Sequence, residues 1–230
     1  MQTPRAELLD RFRAALADLE ARYPSGRFSD ANVDTELRRW LDGPDSPLPW
    51  SDPTAVTPDE WFFITTLCGD LPPDAQRTQN RKHFAPLFVA KANRDIRSFR
   101  PELLKGAALW SSSMTYRLCK MGEILRDRGQ SMSAYVAVLK KLEQDAELRD
   151  PTPALDAFVL LHQTPAPKTL SHFIRDCVLG NAFPLDAPTQ KQLAHYNLPA
   201  DERLLVSLSL ELNRNPRLTS RMFSHAAHTH

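Results

Sequence analysis

Residues 155–190, LDAFVLLHQTPAPKTLSHFIRDCVLGNAFPLDAPTQ, read as a helix, a tight turn, a second helix and the start of a third. Leu155, Phe158, Val159 and Leu161 fill the first helix, and Pro165 and Pro167 pin the turn. Lys168 then begins a helix whose Leu170, Phe173, Ile174 and Cys177 recur three or four residues apart. Gly180 is expected to stop that helix. Ala182 and Phe183 lead through Pro184 to Asp186, whose carboxylate is placed to cap the following helix by accepting from its unpaired N–H groups.

The same helical spacing extends in both directions. Leu8, Leu9, Phe12, Leu16, Leu19 and Tyr23 follow a Thr3-Pro4 start, and a second helix is expected from Ser29 to Leu41. Residues 42–56 form a Pro-rich loop. Thr57-Pro58-Asp59-Glu60 has the Thr-x-x-Glu spacing of a capping box ahead of Trp61, Phe62, Ile64 and Leu67. Residues 74–110 are expected to form two or three helices broken near Pro86 and Pro101. The string SSSMTYRLCKMGEILRDRG makes a further helix, and Ser131 caps another that runs to about Leu148. Thr152-Pro153 starts the first helix of the 155–190 stretch, and two closing helices occupy 199–213 and 215–226. Strand-like alternation is almost absent, so the expected class is all-α.

With 42% hydrophobic and 25% charged residues, 230 residues suffice to bury a core. No apolar run approaches bilayer length, and MQTPRAELLD lacks the order of a signal peptide, so a cytoplasmic protein away from membranes is expected. Cys68, Cys119 and Cys177 are odd in number and sit among apolar neighbours, which favours buried free thiols over a disulfide framework or metal site. Neither a metal nor a cofactor is expected, and His225, His228 and His230 read as a frayed tail. The net charge of +1 hides an uneven spread. Residues 1–75 carry 7 Lys+Arg against 14 Asp+Glu, residues 76–128 carry 12 against 4, and the remainder carries 10 against 10. A basic middle third suits a face that grips phosphates, and equally a solvated helical surface.

The string PKTLSHFIRD followed by AFPLD resembles the helix-hairpin-helix DNA glycosylase/lyase superfamily, and within it the 8-oxoguanine DNA glycosylase branch. Tyr116-Arg117, opening its helix, is a second and weaker likeness to the same branch. The resemblance is specific over residues 112–195. It implies an all-α, glycosylase-like fold, while residues 1–75, an acidic helical region by their own composition, match nothing in it and have no placed role. A helix-hairpin-helix domain would follow at 76–230, its hairpin near 155–179. It also implies excision of a damaged or modified purine, 8-oxoguanine being the family default, with Lys168 as nucleophile and Asp186 as the assisting carboxylate. The enzyme would extrude the nucleotide, attack C1′ of the sugar with the Lys amine to form a Schiff base, and then nick the strand by elimination. DNA is the implied partner. Its backbone would be met by Arg94, Arg97, Arg117 and the hairpin positions Thr164 and Ala166. Candidate pocket residues are His172, Trp110, Tyr116 and Phe183.

The hairpin departs from the family pattern. Where the family has Gly-apolar-Gly, one residue and then the Lys, this chain has Thr164-Pro165-Ala166-Pro167-Lys168. Two prolines remove two amide donors, and no Gly is present to let a phosphate approach closely. An alternative function is therefore a helix-hairpin-helix module whose catalysis is lost or redirected. Such a module would bind nucleic acid or protein, with a protein partner meeting the acidic first 75 residues. Each singled-out residue also has an ordinary structural role: Lys168 as a solvated first-turn lysine, Asp186 as a cap and His172 as a hydrogen-bonded packing residue.

Overall fold

The apolar spacings above become nine α-helices among the described residues of the computed structural model, which are 4–23, 56–68, 86–104, 112–145, 147–162 and 167–226. The helices are α1 (Arg5–Arg22), α2 (Pro58–Cys68), α3 (Ser112–Asp127), α4 (Met132–Gln144), α5 (Pro153–His162), α6 (Pro167–Phe173), α7 (Ala187–His195), α8 (Glu202–Glu211) and α9 (Pro216–Ala226). No strand occurs among the described residues, and the all-α class is as expected. The expected helix at 29–41, the loop through residue 55, Thr164, Ala166, Trp110 and the side chain of Lys168 lie outside the described residues.

Caps fix where the helices begin. The Thr57 N–H donates to Glu60 Oε2 at 2.9 Å while the Glu60 N–H donates to Thr57 Oγ1 at 3.2 Å, the reciprocal pair of a capping box. Ser131 Oγ accepts from the Ala134 N–H, Asp186 Oδ1 from Thr189 and Asp201 Oδ1 from Leu204. Each such cap is worth about 1 kcal/mol.

Helix ends depart from the sequence in three places. α4 stops at Gln144 rather than near Leu148, because Asp145 leaves the helix with an extended backbone. Residues 86–104 hold only a π-helical turn (Leu87–Lys91), a 3-10 turn (Ile96–Ser98) and turns, not long helices. Asn93 and Arg94 take positive φ there, and the Asp95 carboxylate diverts the Arg97 N–H from helical pairing. α6 does not end on a left-handed Gly180. It widens into a π-helical turn (Ile174–Val178), and the residue at φ +61° is Leu179. Gly180 is needed for space instead: a Cβ there would sit 2.9 Å from the Glu143 side chain, whose carboxylate accepts the Ala154 and Asn181 N–H groups.

Two apolar cores result. The larger joins α2, α3, α4, α5 and α6 around Phe62, Phe158 and Phe173, whose ring centroids lie 5.4–6.2 Å apart. Burying each ring stabilises by about 1.5–3 kcal/mol, with about 0.5–1.5 kcal/mol more for each aromatic pair. The smaller joins α1 to α7, α8 and α9 through Phe12 stacked on Phe223 at 5.8 Å, with Phe183 at 5.7 Å from Phe223. Both helices described within the acidic first 75 residues are thus built into cores completed by residues far downstream. Between the cores, α6 and its π turn give apolar side chains to the first and polar side chains to a seam against α7, α8 and α9.

Candidate active site

The seam is built on the string SHFIRDC, in which Arg175 and Asp176 sit between Phe173-Ile174 and Cys177-Val178. A charged pair inside an apolar run has to be paired when it is buried, because an isolated charge there loses its hydration. Arg175 and Asp176 side chains are 7% and 9% exposed. The guanidinium donates to Asp176 from Nε at 2.8 Å and from Nη2 at 3.1 Å, and from Nη1 to Ser220 Oγ of α9 at 3.2 Å. Arg221 of α9 donates to the same Asp176 at 2.6 Å. Burial opposes ionisation of Asp176, but Arg175 and Arg221 outweigh it and hold its carboxyl well below the usual aspartate range.

Asp186 lies at the edge of this cluster. The Thr189 N–H donates to Oδ1 at 2.8 Å, Ser224 Oγ donates to Oδ2 at 3.4 Å, and His172 Nε2 is 3.7 Å from Oδ2. Burial raises its carboxyl's pKa, yet hydrogen bonding from Thr189, together with His172 and Arg175, brings it below the ordinary aspartate value. Asp186 is therefore both the cap of α7 and an ionised carboxylate, its side chain 15% exposed. Glu202 ties the same elements together from α8: its carboxylate accepts from Ser171 Oγ at 2.7 Å and from the Phe183 N–H at 2.6 Å. Burial pushes its carboxyl up from the ordinary value.

The two family-like strings meet at α6. Arg117, following Tyr116 on α3, is buried and donates to Thr169 Oγ1 at 3.1 Å, one residue after Lys168. Lys168 lies four residues before His172 on α6, a spacing that shares one helix face. Tyr116 is exposed, whereas Phe183 is fully buried in the smaller core. The other expected phosphate contacts lie elsewhere. Arg94 pairs with the buried Glu60, and Asp59 accepts the Ile96 N–H at 2.9 Å, so residues 94–96 are fastened to the start of α2. Arg97 clasps Asp95 through Nε and Nη2, and Arg126 donates to the carbonyls of Arg97 and Phe99. Asp95, Arg97 and Arg126 line an open surface depression of about 710 Å³ with Arg100 and Glu102, and Arg94 is not among its lining residues.

Sequence reasoning missed Arg175, Asp176, Arg221 and Glu202. The first two carried a signal, a charged pair flanked on both sides by residues of the apolar stripe. Arg221 and Glu202 carried none, since surface helices commonly hold such residues. Among the described residues no group of His, Cys, Asp and Glu could hold a metal ion, and no helix is long and apolar enough to cross a membrane. No protein-family model matches the chain, and neither a curated protein nor a solved structure matches it.

Proposed function

We propose that this chain is a DNA N-glycosylase with associated AP-lyase activity, acting on a damaged or modified purine, with 8-oxoguanine as the default from the resemblance. Lys168 is the nucleophile. The neutral amine is the form that attacks C1′. The C1′–base bond breaks as the N–C1′ bond forms. Opening of the sugar gives the Schiff base, and loss of a C2′ proton expels the 3′ phosphate. Asp186 stabilises the positive charge that develops on the sugar as the base departs.

The single observation carrying this reading is the placement of Asp186 at the start of α7, with Oδ2 3.7 Å from His172 Nε2 on the helix whose first turn holds Lys168. Single-turnover excision from a duplex containing 8-oxoguanine tests it. Asp186→Asn keeps a capping oxygen, so the fold persists while excision falls by about 10²–10³-fold. Full excision by that variant makes Asp186 a cap and nothing more.

A second reading, a binding module without catalysis, is favoured by Pro165 and Pro167, which remove two amide donors where the family pattern has a Gly-apolar-Gly hairpin ahead of the Lys. It predicts no excision by the unaltered protein across a panel of lesions, with nucleic-acid or protein binding retained.

A further inference from the structure

The proposed reaction leaves His172 without a part, although its ring sits between Arg175 and Asp186. Arg175 Nη2 lies 3.0 Å from His172 Nδ1, and a guanidinium has only donors to offer, so Nδ1 is the acceptor of that hydrogen bond. The guanidinium is not free to turn away. Two of its nitrogens are forked onto Asp176, and the third is bonded to Ser220. With the Nδ1 lone pair occupied, the ring hydrogen is on Nε2, the atom 3.7 Å from Asp186 Oδ2. That separation is longer than a hydrogen bond and short enough for an N–H dipole to act on a carboxylate.

We infer that Arg175 locks His172 in the Nε2–H tautomer and that His172 thereby serves as a positioning residue, presenting an N–H to the Asp186 carboxylate beside the helix that carries Lys168. His172 is then a donor and not a general base, because neither ring nitrogen has a lone pair to spare. The contact acts together with the other charged groups of the seam, which are Arg175 and Asp176 on the π turn, Arg221 on α9 and Glu202 on α8. The catalytic meaning of this contact rests on the function proposed above, while the tautomer and the carboxylate's titration do not.

Nitrogen-15 spectra of the His172 ring, combined with carbon-13 titration of the Asp186 carboxyl, test it in the full chain. The unaltered protein should show a protonated Nε2 and a bare Nδ1. In His172→Ala the Asp186 midpoint should rise by roughly half a pH unit, the effect of a neutral N–H donor; a rise of about 1–3 units, the effect of a full opposite charge, would mean an imidazolium at Asp186 and overturn the lock. His172→Gln, whose amide nitrogen reaches the place of Nε2 and does not titrate, should restore most of that change. A ring protonated on Nδ1, or an Asp186 midpoint unmoved by His172→Ala, overturns the inference. The ring spectrum of the unaltered protein decides the matter even if His172→Ala fails to fold. Absence of excision by the unaltered protein would remove the glycosylase function and leave these spectra to judge the contact by itself.

Discussion

Arg97 and Asp95, in the basic segment at 86–104, form a pair whose side chains are 47% and 30% exposed, whereas Arg175 and Asp176 in the seam are 7% and 9% exposed. Both are arginine–aspartate pairs close in sequence, and both are forked. Their energetic positions are opposite. Water already solvates the first pair, so its two charges gain little from each other. The second pair has given up its hydration, and each charge depends on the other and on Arg221. A high local count of Lys and Arg located the first pair, yet the second stands beside the candidate chemistry. Charge counting finds surface; burial of a charge finds organisation.

The largest expected effect breaks this contrast directly. Asp176→Asn leaves Arg175 and Arg221 without their anion and should cost about 3–5 kcal/mol in urea unfolding. Asp95→Asn should cost about 0.2–1 kcal/mol. Acid sharpens the same difference. The folded-state pKa of Asp176 lies below its ordinary 3.8, so its contribution is fully present above that value and is lost as pH falls further and the unfolded chain takes up the proton first. The stability gap between the unaltered protein and Asp176→Asn should therefore be full near ~pH 7 and narrower near ~pH 3. A gap independent of pH would contradict an ionised, buried Asp176.

Gly122 tests how firmly the basic segment is seated. A Cβ at this position of α3 would lie 2.7 Å from the Phe99 carbonyl oxygen and 2.8 Å from that of Ile96. Backbone must move to admit it, so Gly122→Ala should cost about 1–3 kcal/mol by the same unfolding measurement. A neutral result would show that residues 96–99 yield freely.

A smaller effect is expected at Asp186, where Ala should lower stability by about 1 kcal/mol through loss of the cap while Asn retains it. Equal losses for the two would place the value of Asp186 in its charge. Smallest is Arg97→Gln, which removes the same exposed pair without setting a carboxylate against Asp95 and should cost about 0.2–1 kcal/mol. It should still weaken nucleic-acid binding and flatten its salt dependence if this surface meets phosphates. Arg94→Glu is the less clean probe, because it sets a second carboxylate against the buried Glu60.

Much of the helical skeleton was legible because local chemistry wrote it. The Thr57–Glu60 box, Ser131, Asp186 and the Asn215-Pro216 start all act within one turn, and a single sequence displays one turn in full. Leu179 was not legible, because a leucine at positive φ runs against its own preference; the N–H groups of Leu179 and Gly180 both return to the Ile174 carbonyl there. Residues 86–104 were expected to lie in helices broken near Pro86 and Pro101, but Asp59 and Glu60 of α2 capture the segment from outside. In the candidate site, Asp186 was visible as a cap. Its neighbours His172, Arg175 and Ser224 come from two other elements, and only the fold brings them to one carboxylate.

The central claim is that Lys168 carries the chemistry, and borohydride trapping on abasic DNA tests it most directly, because it bypasses base recognition and asks only whether an amine reaches C1′. The unaltered protein should give a protein–DNA adduct stable to denaturation. Lys168→Gln, similar in length and lacking the amine, should give only the background that other lysines supply. Equal trapping by the two proteins, or base excision by the unaltered protein with no trapping, would contradict the assignment.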